Sequence, residues 1–277
     1  MVAVFYRYGR LGNRLFTFSN LIAFAEYSKV PIMVPAFSEY RASFPFFRDS
    51  SACVFLPESS SHHDGYAPFL MSLLARIGLI PTVRFWEDRH VFFDQEDSHD
   101  PRVSAMITSP NIVFEGWNFR SRHAIMKSRS TICRVFRPSE SIEESATRRI
   151  EEARKTADVT IGVHVRWGDY QGSDLYFTKE EYALRMSELR SLLRPSKVGF
   201  VLFCADRIDT EGLPKDSRVC PPGTPEEDLF SLAKCDYLLG PPSTFSMWAS
   251  FYGGHPLFVM RHGVDFTDIS FGTVATP

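Results

Sequence analysis

Short apolar runs alternate along this chain with longer stretches of helical spacing. Residues 2–8 ("VAVFYRY") read as a strand, and "GRLGN" (9–13) as a loop bounded by glycines. "RLFTFSNLIAFAEYSK" (14–29) places apolar residues three and four apart, which predicts a helix. Strand, glycine loop and helix in that order open many α/β folds. Residues 30–65, rich in Phe, Pro and Ser, show no period that assigns them. "APFLMSLLARIGLI" (67–80) predicts a short apolar helix and "NIVFEG" (111–116) a strand. Residues 139–156 predict a polar helix with a Ser-x-x-Glu capping signal at its start.

From there the pattern is regular. Strand 159–165 leads to helix 178–193, where Thr178 and Glu181 have capping-box spacing. Strand 198–204, a Pro-rich link at 213–225, helix 225–234, strand 236–240, helix 243–252 and strand 256–260 follow. Repeated strand–helix–strand units of this length imply a parallel sheet with right-handed crossovers. The expected class is α/β, with a Rossmann-like second half. The boundary is expected near residue 157, giving halves 1–157 and 158–277. Two facing α/β halves would leave a cleft between them for a ligand.

Composition narrows the partners. The 277 residues carry a formal net charge of −2, so no global field draws the chain onto nucleic acid. Cys53, Cys133, Cys204, Cys220 and Cys235 are scattered and never spaced CxxC, which argues against a disulfide framework or a structural zinc site. No Asn-x-Ser/Thr acceptor occurs, and "MVAVFYRYGRLGN" has no charged n-region followed by a long apolar h-region. No stretch reaches the roughly 18–20 apolar residues of a membrane span. These features point to a reducing, cytoplasmic compartment. The run 120–137 holds six Lys/Arg and no acid. A solvated helix face is the expectation there, with peripheral contact to an anionic glycan or membrane surface as the alternative.

Three stretches carry candidate chemistry. "IGVHVRWGDY" (161–170) puts His164 and Arg166 on one face of a strand, at the carboxyl end where open parallel sheets bind ligands. The other reading is a core histidine and an Arg166–Asp169 pair. "GPPSTFSMWASF" (240–251) puts Ser243, Thr244 and Ser246 at the start of a helix, an anion site or a plain N-cap. "YGRLGNRLF" (8–16) holds Gly9 and Gly12, which admit close backbone approach, but it is not GxGxxG. No Asp-x-Asp, GxxxxGK[ST], GxSxG or HExxH occurs. A bound nucleotide diphosphate would then be met by Arg166 and helix N-termini rather than by a metal.

Together these stretches resemble the α1,2-fucosyltransferases. His164-Val165-Arg166-Trp167-Gly168-Asp169-Tyr170 is similar to that family's His-Val-Arg-Arg-Gly-Asp-Tyr. Gly9 to Phe16 is similar to Gly-Gly-Leu-Gly-Asn-Gln-Met-Phe, and Pro241 to Trp248 to Ser-Asn-Ser-Thr-Phe-Ser-Trp-Trp. "FEGWNFRS" (114–121) and "LFCAD" (202–206) are weaker matches. The wider group, including α1,6- and protein O-fucosyltransferases, shares the His-x-Arg and a Gly-Asn loop.

The resemblance implies a GT-B-like, inverting, metal-independent enzyme that moves fucose from GDP-fucose to a glycan hydroxyl, most specifically galactose O2. It implies an N-terminal acceptor half and a C-terminal donor half. Arg166 matches the arginine that neutralises the β-phosphate, and His164 a histidine beside the nucleotide. Ser243, Thr244 and Ser246 match the helix start over the diphosphate, and Gly12 and Asn13 the loop that closes on the donor. Asp228 is expected to hold guanine, with Asp206 as the competitor. Asp169 and Asp174 are the candidate bases, Asp169 alternatively orienting Arg166. The chain departs from the pattern at Trp167, where relatives keep a second arginine, at Ala205, and at Pro242. The residues leave open a GT-B transferase of another nucleotide sugar or linkage, or a nucleotide-sugar-binding protein without turnover.

Overall fold

The structure is a computed structural model. It describes residues 1–48, 54–55, 70, 73–87, 91, 93–94, 100–268, 270 and 272–276. The chain divides into two compact units, Met1–Ser139 and Glu140–Thr276.

The N-terminal unit is built on a parallel five-stranded sheet of order β3-β2-β1-β5-β4. Its strands are β1 (Val2–Ala3), β2 (Ile32–Met33), β3 (Val54–Phe55), β4 (Thr82–Phe85) and β5 (Ile112–Gly116). Its helices are α1 (Leu11–Ser28), α2 (Pro101–Thr108), α3 (Arg122–Lys127) and α4 (Arg129–Val135). The expected strand 2–8 pairs over Val2–Ala3 alone. Its neighbour β2 is bracketed by Pro31 and Pro35, which carry no N–H, and Pro35 opens a 3-10 turn.

Helix α1 starts at Leu11, three residues before its expected start, so Gly12 and Asn13 lie in its first turn rather than in a loop. Gly9, at φ +63°, makes the turn that permits this, and a Cβ there would lie 2.2 Å from Asn13 Nδ2. The aperiodic Phe-rich stretch builds a ring cluster on 3-10 turns. Phe37 stacks on Phe47 at 4.8 Å and meets Phe18 edge-on at 5.1 Å. Such packing has no period to read. Of the expected helix 67–80, residues 73–76 are helical and 77–80 turn, while 67–69, 71 and 72 lie outside the described residues. Strand β4 and helix α2 had no predicted counterpart.

The C-terminal unit contains α5 (Glu140–Thr156), β6 (Val159–Val165), α6 (Lys179–Leu192), β7 (Val198–Cys204), β8 (Ser217–Val219), α7 (Pro225–Ala233), β9 (Tyr237–Gly240), α8 (Thr244–Gly253) and β10 (Leu257–Val259). Its sheet is parallel throughout, in the order β10-β9-β6-β7-β8. Helix α5, placed before the expected boundary at 157, packs along α7 and belongs to this unit. The Thr178–Glu181 capping box forms, and Thr224 and Glu227 make a second one that opens α7. Gly162 lets α7 close on β6, since a Cβ there would meet Leu232 Cδ1 at 2.5 Å. No helix among the described residues is long and apolar enough to cross a membrane. The basic run 120–137 folds into α3 and α4, with Ile125, Ile132 and Val135 buried and Arg122, Lys127 and Arg137 exposed.

Candidate active site

The strand order of the C-terminal unit contains a reversal. From β6 the chain steps outward to β7 and β8, then returns to set β9 on the other side of β6 and β10 beyond it. The carboxyl ends of β6 and β9 therefore flank a topological switch point, where open α/β sheets bind ligands. Two of the three sequence constellations leave the sheet there.

Strand β6 is buried, and His164 near its end is 9% exposed. Burial first, and the Arg166 charge second, depress its pKa to about 3. The ring is neutral at ordinary pH and adds no charge beside the guanidinium. A pKa that low does not suit a general base working near neutrality. His164 Nδ1 is buried without a hydrogen-bond partner, and the ring lies 5.1 Å from the Phe245 ring on α8. Gly240 permits this approach, since a Cβ there would sit 3.1 Å from His164 Cβ.

Tyr182, buried on α6, clamps the end of β6. Its hydroxyl donates to the His164 carbonyl at 3.1 Å and accepts from the Arg166 N–H at 3.4 Å. Burial drives its phenol pKa up, so it stays protonated. Arg166 then reaches α8, where Nη1 donates to Ser243 Oγ at 3.3 Å, and its guanidinium lies 4.3 Å from the Tyr170 ring centroid. Trp167 turns the other way. Its indole N–H donates to the Phe177 carbonyl at 2.9 Å, and its ring packs on the unit's core.

Ser243 is the N-cap of α8, its Oγ accepting from the Phe245 N–H at 3.3 Å. The Ser246 hydroxyl is fully buried and faces the Pro241 and Ser243 carbonyls at 3.4 and 3.2 Å, so it braces the turn. Thr244 is half-buried in the first turn of α8. Ser243 and Arg166 are thus brought together, with His164 alongside through Phe245.

The carboxylates sort differently. Asp206 is exposed and accepts from the Gly168 N–H at 3.0 Å, tying the end of β7 to the turn after β6. Asp228 pairs with the nearly buried Arg149 of α5, which also reaches the Pro221 carbonyl and, at 3.2 Å, Ser231 Oγ. Burial raises the Asp228 pKa, and the Arg149 hydrogen bond works against that rise. Asp169 lies in the 3-10 turn Gly168–Tyr170, and its side chain is outside the described structure. Asp174 is exposed on the following turn.

Gly12 and Asn13 belong to the N-terminal unit, where Gly12 is buried in α1. Asn13 lines an open recess of about 120 Å³ with Trp117 and Arg120. Tyr182, Tyr170 and Phe245 were not singled out in the sequence; Tyr170 lies inside the His-x-Arg motif and Phe245 inside the 240–251 stretch, while nothing in the sequence marked Tyr182. Among the described residues no group of three or more His, Cys, Asp or Glu gathers as a metal site, and the four described cysteines form no disulfide.

No protein-family model and no curated protein matches the sequence. Solved structures do match the fold. A mutant of Arabidopsis thaliana FUT1 in complex with GDP aligns with 98% of this chain and 73% of its own, at 13% identity and a TM-score of 0.60. The α-1,6-fucosyltransferase NodZ, soaked with GDP-fucose, aligns with 98% of this chain and 96% of its own, at 15% identity and a TM-score of 0.60. POFUT1 in complex with GDP covers 92% of this chain and 94% of its own, at 13% identity and a TM-score of 0.53. The chain has the α/β, GT-B-like fold of these structures.

Proposed function

We propose that this chain is a glycosyltransferase that moves fucose from GDP-fucose to a hydroxyl of a glycan, with galactose O2 as the acceptor atom. The observation that carries the reading is the Arg166–Ser243 contact at the switch point of the C-terminal sheet. It sets a permanent cation against the amino end of a ten-residue helix, an arrangement suited to a diphosphate. The fold's likeness to proteins solved with GDP and GDP-fucose supports the same donor.

On this reading the acceptor oxygen attacks C1 of fucose, the C1–O bond to the β-phosphate breaks, and GDP leaves. Negative charge grows on the β-phosphate as that bond breaks. Arg166, Ser243 and the start of α8 interact more strongly with that charge than with the ground state, which lowers the barrier. His164 contributes a neutral ring beside the phosphates. Asp206, exposed near the end of β7, suits the paired N–H edge of guanine better than Asp228, which is committed to Arg149. Asp174 or Asp169 accepts the acceptor proton. Gly12 and Asn13 serve the donor from the N-terminal unit, whose main task is the acceptor. No metal is needed, because Arg166 and α8 carry the leaving-group charge. The compartment is the cytoplasm.

Incubation with GDP-fucose, with GDP-mannose as the comparison donor, over an array of galactose-terminated glycans tests this. Fucose transfer with stoichiometric GDP release, unaffected by EDTA, is expected. The absence of both transfer and GDP release would refute the reading. Tight GDP binding without turnover would replace it with a binding role.

A further inference from the structure

In the N-terminal unit, aromatic side chains gather at the carboxyl edge of the sheet. Strand β4 ends at Phe85 and β5 at Gly116, and these two residues are register partners. The next residues are Trp86 and Trp117, so the register delivers two indoles side by side. Gly116 makes the close approach possible. Its φ is +116°, and a Cβ there would lie 2.2 Å from the Phe85 carbonyl oxygen. Asn118 then locks the pair of strand ends, its N–H donating to the Phe85 carbonyl at 3.1 Å and its Nδ2 to the Trp86 carbonyl at 2.9 Å.

The rings are 6.4 Å apart and inclined at 74°. Tyr8, leaving the neighbouring strand β1, supports both, edge-on to Trp86 at 5.2 Å and to Trp117 at 6.5 Å. Despite this support Trp86 is 48% exposed and Trp117 41% exposed. Large rings held rigid yet left in water mark a ligand surface more often than a core. Polar groups adjoin them, since Trp117 shares its recess with Asn13 and Arg120.

We propose that Trp86 and Trp117 form a saccharide-stacking platform, with the hydroxyls of the bound pyranose directed to Asn13 and Arg120. A pyranose such as galactose has one face made of C–H groups and a rim of hydroxyls. An indole plate beside hydrogen-bonding side chains matches both features. A lipid tail would leave the polar groups of the recess unmatched. That the bound sugar is the acceptor rests on the fucosyl-transfer reading above; that the platform binds sugar does not.

The test uses the intact chain without donor, and a panel of lactose, cellobiose and N,N′-diacetylchitobiose followed by saturation-transfer NMR. Saturation of ring C–H protons of one sugar is expected. Trp86→Ala and Trp117→Ala each weaken that binding about tenfold, Trp117→Phe restores most of it, and GDP binding and melting temperature stay near the parent values. No sugar bound by the parent, or variants that bind as the parent does, would overturn the platform. If binding depends on the tryptophans but no transfer occurs, the transfer reading fails alone. If transfer occurs and the variants lose sugar binding yet keep the parent's acceptor KM, the platform stands and its identification with the acceptor site is overturned.

Discussion

Arg166→Ala separates a catalytic from a structural role, because the two costs differ in size. In the structure Arg166 makes a 3.3 Å hydrogen bond to Ser243 and a cation–π contact at 4.3 Å with Tyr170. Ser243 Oγ keeps its bond from the Phe245 N–H when the guanidinium goes, so no buried donor is stranded. At this half-exposed position the two contacts are worth about 1–2 kcal/mol together. Against leaving-group charge the same guanidinium is worth more. Removing one preorganised donor of this kind costs about 10²–10³-fold in rate, roughly 2.7–4 kcal/mol. The variant should melt within a few degrees of the parent and lose at least a hundredfold in kcat for GDP release from GDP-fucose. Arg166→Lys keeps the charge but loses the fork that spans Ser243 and a phosphate, so it recovers part of the loss. Turnover within threefold of the parent in Arg166→Ala would refute the assignment of Arg166 and the mechanism built on it.

Tyr182→Phe leaves the Arg166 N–H and the His164 carbonyl without their shared partner, at a cost of about 1–3 kcal/mol. Denaturant unfolding should show that loss, and kinetics a fall in kcat larger than any rise in the KM for GDP-fucose. His164, at a pKa of about 3 against 6.5 in the unfolded chain, refuses a proton that the unfolded chain accepts below pH 6.5. Stability therefore falls as pH drops from 6.5 toward 3. His164→Asn should flatten that slope in guanidinium titrations between pH 7 and 4, and an unchanged slope would contradict the burial argument. Asp228→Asn strands the Arg149 charge and should cost about 1–3 kcal/mol, below the 3–5 of a fully buried pair because the Asp228 side chain is 28% exposed. GDP affinity measured by calorimetry should stay within threefold in that variant and fall at least tenfold in Asp206→Asn; the reverse pattern would return the guanine to Asp228.

What could be read in the chain before its structure was what is written locally. Strands β6, β7 and β9 are short buried runs between turns, and their helices begin at capping residues, so elements, order and parallel sheet all follow from neighbours in sequence. The places of His164, Arg166 and Ser243 could be read for the same reason: His164 lies next to the end of β6, Arg166 just past it, and Ser243 at the cap that opens α8. Long-range partners were not. The pairing of Asp228 with Arg149, 79 residues earlier, carries no mark in the sequence, where Asp228 stands only as the guanine carboxylate that the resemblance implies. The start of α1 was missed because it depends on the positive φ of Gly9. The paired tryptophans were invisible because they follow different strands and meet only through the β4–β5 register.

Trp167 shows why a departure from a motif has to be read in three dimensions. By sequence it replaces a second arginine, which suggests a lost charge beside the phosphates. The backbone after β6, however, sends consecutive side chains to opposite sides. Arg166 goes to Ser243 and α8, while Trp167 goes to the Phe177 carbonyl and the core. An arginine at 167 on this backbone would bring its charge into an apolar cluster and lose the indole hydrogen bond, so restoring the motif residue would not restore a phosphate contact. On the proposed function, Arg166 would then meet the diphosphate without a second arginine beside it. Its placement is correspondingly supported from three elements: Tyr182 of α6 at its backbone, Tyr170 under its guanidinium, and Ser243 at its tip. A single cation held by three elements gives less total charge but less freedom to lose on binding, and it is that preorganisation, not the count of arginines, that sets how much a developing phosphate charge is stabilised.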